Sequence, residues 1–152
     1  MTVIKLITKI NAPVLHVFDL SRNIDFHMKS ASQTSEKAIA GVTTGLIGSG
    51  EIVKWKGKHF GVWLTHTSKI SKFNPPYFFV DKMIEGKFSS FVHEHHFSQK
   101  DDYTLMTDSL SYKVPYGVIG KLFDKLFLKG YLIRFLEHRN AALKSSLESA
   151  NI

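Results

Sequence analysis

Cysteine is missing from all 152 residues of this chain, which excludes a disulfide framework, thiolate catalysis and thiolate metal sites, and fits a reducing cytoplasm as the expected compartment. Long apolar runs are missing too. None approaches the ~18 residues that a membrane-crossing helix needs, and the opening Met1 to Leu6 alternates at once instead of placing a basic segment before an apolar one. Neither a spanning segment nor a secretory leader is expected. Acidic residues are scarce, with 13 Asp and Glu against 20 Lys and Arg, giving a formal charge of +7 and a pI near 9.6. The lysines are scattered through the chain in ones and twos rather than gathered on one element, so no nucleic-acid partner is expected. No serine sits in a Gly-x-Ser-x-Gly turn, and no repeat, low-complexity tract or linker divides the chain. Residues 1–152 read as one domain, long enough to bury a core unaided.

What is present alternates. Thr2 to Ile10 has the period of a strand, and Asn11-Ala12-Pro13 supplies a capping side chain and a first-turn proline for a short helix through Leu20. A second short helix is expected over Asn23 to Ser30. Strands follow at Glu36 to Ala40 and Glu51 to Lys56, then a long one at Lys58 to Phe73 that Asn74-Pro75-Pro76 breaks. Tyr77 to Ile84, Phe88 to Ser98 and Thr104 to Val114 complete a meander. Proline is limited to four residues, and none falls between Tyr116 and Ser149. That stretch carries Ile119, Leu122, Leu126, Ile133, Leu136, Leu143 and Leu147 mostly three, four or seven apart, the spacing of one long helix, with a bend expected at Gly130. The class is therefore α+β, with a curled antiparallel sheet wrapped around a long C-terminal helix and two short helices after the first strand.

In that order of elements, Gly50-Glu51, Trp55, His59-Phe60-Gly61, Pro75-Pro76, Phe79-x-Asp81, Gly86-x-Phe88, His93-x-His95-x-Phe97, Thr107-Asp108, Tyr112 and Pro115 together resemble the helix-grip fold of the START-like (SRPBCC) superfamily. Pollen allergens, lipid-transfer domains and polyketide cyclases share that fold. The nearer resemblance is to a bacterial ligand-binding branch, labelled in part polyketide cyclase/dehydrase. The resemblance implies a cavity between sheet and terminal helix, which we expect to be closed, and no tightly bound cofactor.

The segment Phe91 to Phe97 shows what such a cavity would contain. Side chains two apart on a strand share a face, so Phe91, His93, His95 and Phe97 point one way, and Val92, Glu94 and His96 the other. The aromatic-histidine face must look inward, where an imidazole needs a hydrogen-bond partner or a ligand. The same parity argument turns Glu51 inward with Trp55, His66 with Leu64 and Ile70, Asp81 with Phe79 and Met83, and Asp108 with Met106, Leu110 and Tyr112. A turn at Lys100-Asp101 would set His93 across from Asp108; a turn displaced by two residues would set His95 there instead.

Four readings of this cluster stand open. It is a satisfied core network; or it orients a small, largely apolar ligand with an acidic or carbonyl group; or His93 or His95, oriented by Asp108, is the general base of a cyclase, dehydratase or hydrolase. A metal held by His-x-His and a third ligand is the weakest, and no metal is expected. As the function of the chain, binding of such a ligand is the first reading, with Glu51, Trp55, His66, Phe79, Asp81, Met83, Phe91, His93, His95, Phe97, Asp108 and Tyr112 as its candidate residues. The terminal helix adds Phe123, Phe127, Tyr131 and Phe135 to its leucine stripe. Beyond a doubly covered core helix, that second apolar face suits a homodimer, a membrane surface or a partner protein.

Overall fold

The computed structural model describes residues 1–149; Ala150 to Ile152, the end of the expected domain, lie outside the described residues. Strand β1 (Thr2–Ile10) turns Ile4 and Ile10 inward, as its alternation requires. Helices α1 (Val14–Ser21) and α2 (Ile24–Ser30) follow. Pro13, not Asn11, occupies the cap position of α1, and the amide of Val14 donates to Gln99 Oε1 at 2.8 Å, so the helix is tied to the far end of a distant strand. The Asn23 side chain caps α2 by accepting from the Phe26 amide at 2.9 Å. A single 3₁₀ turn (Ser32–Thr34) leads to β2 (Lys37–Gly41).

Five more strands complete the sheet: β3 (Ile52–His59), β4 (Val62–Asn74), β5 (Phe78–Glu85), β6 (Ser90–Gln99) and β7 (Thr104–Lys113). Every neighbouring pair is antiparallel and the order is β1-β7-β6-β5-β4-β3-β2. The expected strands at Glu51 to Lys56 and Lys58 to Phe73 are divided elsewhere. Phe60 and Gly61, both at positive φ (51° and 75°), form a two-residue turn that pairs His59 with Val62. Left-handed backbone at both positions suits the twist of a hairpin, but phenylalanine carries no turn signal.

The terminal helix grips the concave side of the sheet in three pieces: α3 (Gly117–Phe123), a π turn (Asp124–Leu128) and α4 (Lys129–Ser149). The irregularity therefore lies at Asp124–Leu128 and not at Gly130. Spacing explains it. Gly120, Asp124, Leu128 and Leu136 are buried, with Leu132 half-buried between them. A regular spacing of four overshoots the 3.6-residue turn, and the wider π turn absorbs the drift that would otherwise rotate these side chains away from the sheet. Two contacts hold the start of the helix. Asp124 accepts from Tyr112 OH at 2.5 Å and from Thr2 Oγ1 at 2.6 Å. A Cβ at Gly120 would come within 1.8 Å of the Pro115 carbonyl oxygen, so only glycine permits this approach. Among the described residues no helix is long and apolar enough to cross a membrane.

The core falls into two clusters. One gathers Ile10, Phe18, Val53, Phe79, Phe97 and Leu143 beneath α1; the other gathers Ile4, Leu110, Tyr112, Leu128 and Leu136 beneath the start of the terminal helix. Between helix and sheet the packing leaves a cavity.

Candidate functional site

The cavity has a volume of about 370 Å³, within the range of small-molecule sites. Of the residues expected on its wall, Trp55, His66, Phe79, Asp81, Phe91, His93 and His95 are there. Five are elsewhere. Glu51 precedes the first residue of β3, so the pleat does not govern it; it is exposed and accepts the Gly48 amide at 2.8 Å. Met83 is half-buried beyond a register shift in the β4–β5 pairing and does not reach the cavity. Phe97 is core, in edge contact with Phe18 at 5.4 Å between ring centres. Tyr112 is wholly buried and donates its hydroxyl to Asp124. Asp108, also wholly buried, stands one layer behind the wall. Nor is the cavity closed, because Phe60, Tyr116 and Phe123 line it and are exposed as well.

Asp108 organises one end of the cavity. The β6–β7 register sets His95 across from Asp108, yet the hydrogen bond is diagonal: His93 Nε2 donates to Asp108 Oδ1 at 2.8 Å. A carboxylate only accepts, so Nε2 must carry the hydrogen. His95 Nδ1 lies 3.2 Å from the same oxygen without hydrogen-bond geometry and is a buried polar atom with no partner. Its ring stacks on Phe79, 4.2 Å between centres and 15° from parallel. From the helix, Asn140 Nδ2 donates to Asp108 Oδ2 at 2.8 Å, and the Arg139 guanidinium approaches Oδ1 to 3.5 Å.

These contacts set the protonation of the cluster. Burial pushes the Asp108 carboxyl up, but the His93 hydrogen bond, the close approach of the His95 imidazole and the positive charges of His93 and Arg139 bring it well below its ordinary value. Asp108 is therefore a carboxylate at neutral pH. His95 is moved the other way, with burial first and repulsion from His93 second holding the imidazole well below its ordinary value, against the pull of Asp108. It is neutral at pH 7. His93, His95 and Asp108 present ligand atoms within 4.8 Å of one another, a separation that a divalent cation can bridge. Against that use, Asp108 Oδ1 already accepts from His93 and faces a guanidinium.

A second polar group on the wall is absent from the sequence reading. Glu36, just before β2, accepts from His27 Nε2 at 3.3 Å and lies 3.9 Å from His59 Nε2; His59 Nδ1 in turn is hydrogen-bonded to Tyr131 OH at 2.6 Å. Burial raises the Glu36 carboxyl, and the His27 hydrogen bond with the charges of His27, His59 and His66 overcomes that and lowers it. Arg139 was missed as well. It lines the cavity at 6% exposure, and its only charged contact among the described residues is the long one to Asp108. One further wall atom is unsatisfied: Asp81 Oδ1 is buried and has no hydrogen-bond partner among the described residues.

No protein-family model matches the chain, and no curated protein matches it by sequence. Solved structures do. Protein TTHA0849 of Thermus thermophilus superposes with a TM-score of 0.80 at 16% identity, over 99% of this chain and 100% of its own. A START superfamily protein of Mycobacterium smegmatis gives 0.73 at 14% identity, over 97% and 98%. Major latex-like protein 151 of Panax ginseng gives 0.67 at 17% identity, over 95% and 97%. At these identities the likeness is one of fold, and it meets the sequence resemblance: the chain has the START-like helix-grip fold.

Proposed function

We propose that the protein binds a small, largely apolar molecule in the cavity between sheet and terminal helix, with an oxygen-bearing end directed at the cluster around Asp108. The observation that carries this reading is the wall of that 370 Å³ space, aromatic and aliphatic for most of its extent but holding two buried polar atoms without partners, Asp81 Oδ1 and His95 Nδ1. Buried polar atoms left unpaired cost free energy, and a bound group that pairs with them removes the cost. Arg139 favours an acceptor on the ligand, such as a carbonyl or carboxylate, and Asp81 Oδ1 favours a donor, such as a hydroxyl. No tightly bound cofactor is needed for this role, and a cytoplasmic setting suits it.

The test is native mass spectrometry of protein purified from its own host, together with titration of aliphatic and aromatic carboxylic acids followed by the emission of Trp55, which lines the cavity. A non-covalent adduct or a saturable change in emission supports binding. A bare mass and no response to any acid overturn it.

An enzymatic reading is favoured by one observation, the 2.8 Å pairing of His93 with Asp108, which fixes the tautomer of an imidazole on the cavity wall as a general base requires. Its test is chemical conversion of the recovered ligand by wild type, abolished in His93→Gln.

A further inference from the structure

The start of the terminal helix leaves an apolar face that neither the core nor the cavity uses. Val118, Ile119, Leu122, Leu126 and Phe127 on α3 and the π turn are each more than half exposed, Val118 by 81%. The tip of the β3–β4 hairpin extends this face, since Phe60 packs on Phe123 at 5.4 Å and on Tyr131 at 4.5 Å between ring centres, while Val62 and Trp63 beside it are also more than half exposed. Scattered surface apolar residues need no explanation, but a contiguous set on one element marks an interaction site.

Charge identifies the partner. Between Tyr116 and Phe135 the exposed charged side chains are Lys121, Lys125, Lys129 and Arg134, all basic. The single acid of that stretch, Asp124, is buried against Tyr112 and Thr2. A two-fold pairing with a second copy would bring this basic face against itself, with no exposed acid of the segment to answer it. An anionic bilayer answers both features: apolar side chains enter the acyl boundary while lysines meet headgroups. The cavity opens at the same place, because Phe60, Tyr116 and Phe123 belong both to its wall and to the exposed surface.

We propose that the face formed by α3, the π turn and the Phe60-Gly61 hairpin docks on anionic membrane surfaces, with the mouth of the cavity turned to the lipid. Docking does not depend on the ligand reading, and its test needs no ligand. The probe is vesicles of phosphatidylcholine and phosphatidylglycerol in equal parts, against phosphatidylcholine alone, in a co-sedimentation assay. Wild type is expected to sediment with the anionic vesicles, less at roughly 0.5 M salt, and far less with phosphatidylcholine. Trp63, half-exposed where Trp55 is buried, should shift its emission to the blue on docking.

Leu122→Asp with Phe127→Asp alters only exposed positions and should weaken partitioning by roughly tenfold or more, with far-ultraviolet dichroism and melting unchanged. Lys121→Glu with Lys125→Glu should abolish the preference for anionic vesicles, and it carries the test should the aspartate pair fail to fold. Failure to sediment, binding indifferent to lipid charge, or binding undiminished in these variants overturns the proposal. So does a dimer that the aspartate pair dissociates in a protein that binds no vesicles; that result would assign the face to a second copy.

Discussion

Asp108→Ala tests whether the cluster at the cavity's end is one coupled unit. The carboxylate is wholly buried and receives two hydrogen bonds of 2.8 Å, from His93 and Asn140, with Arg139 at 3.5 Å. Leaving a buried neutral donor unpaired costs about 1–3 kcal/mol. Arg139 raises the stakes, because removing one member of a buried ion pair strands the other charge and typically costs about 3–5 kcal/mol. We therefore expect Asp108→Ala to lower the unfolding free energy by about 3–5 kcal/mol in urea melts followed by dichroism. Arg139→Met in the Asp108→Ala background should recover part of that loss, with a coupling energy of at least about 1 kcal/mol. Replacing His93, His95 and Asp108 together by apolar residues should likewise cost less than the sum of the three single changes. The pH dependence has a definite sign. The folded carboxyl lies well below its ordinary 3.8, so its contribution is complete above that value and is lost only as pH falls through the depressed one. The gap between wild type and variant should be flat from pH 7 to about pH 5 and narrow only in stronger acid. Strict additivity in the cycle, or a gap that closes near pH 6, refutes the coupled carboxylate.

Neutral His95 makes a separate claim: its folded value is well below the ordinary 6.5, so the unfolded chain takes up a proton that the folded one refuses. Stability should fall as pH drops below about 6.5, by about 1.4 kcal/mol per pH unit from His95 alone. The urea midpoint measured from pH 7 to pH 5 checks this, and His95→Gln should flatten the slope. Gly120→Ala places a methyl group 1.8 Å from the Pro115 carbonyl oxygen and should lower stability by about 2 kcal/mol through displaced backbone, read as a drop in melting temperature. Once a ligand is identified, His93→Gln and His95→Gln should each weaken binding less than tenfold, about 1.4 kcal/mol, with the ligand recovered unchanged; loss of turnover in either would favour the enzyme.

Strand parity made the aromatic-histidine face of β6 and the Asp108 partnership legible, because a period of two leaves only one choice once a face is apolar. Parity fails where the pleat ends. Glu51 lies one residue outside β3 and answers to a turn, not to the sheet. The hairpin at Phe60-Gly61 was hidden for a related reason: its left-handed positions carry one glycine and a phenylalanine, where asparagine-glycine would have announced the turn. Arg139 and Asn140 were invisible because many polar side chains fall on a long helix, and only its placement across the sheet decides which two meet Asp108. The Glu36 cluster joins α2, the residue before β2, the end of β3 and the terminal helix, four places that no local pattern relates.

The same helix explains why its exposed face is a fixed feature rather than a poorly packed end. Asp124 is held from the sheet by Tyr112 and Thr2, and Gly120 is pressed against Pro115. Burial and the Asp124 carboxylate push the Tyr112 phenol far above its ordinary value, so the hydroxyl stays a donor across the accessible pH range. With one side of α3 and the π turn secured by these contacts, the side chains between them, Ile119, Leu122, Leu126 and Phe127, have no inward position to rotate into. Four-residue spacing of the buried positions thus does two things at once: it requires the π turn, and it consigns the intervening apolar residues to the surface beside the cavity mouth. A helix evolved only to fill the grip of the sheet would carry polar residues there. The apolar residues and the lysines among them are accounted for by a surface that they meet outside the fold.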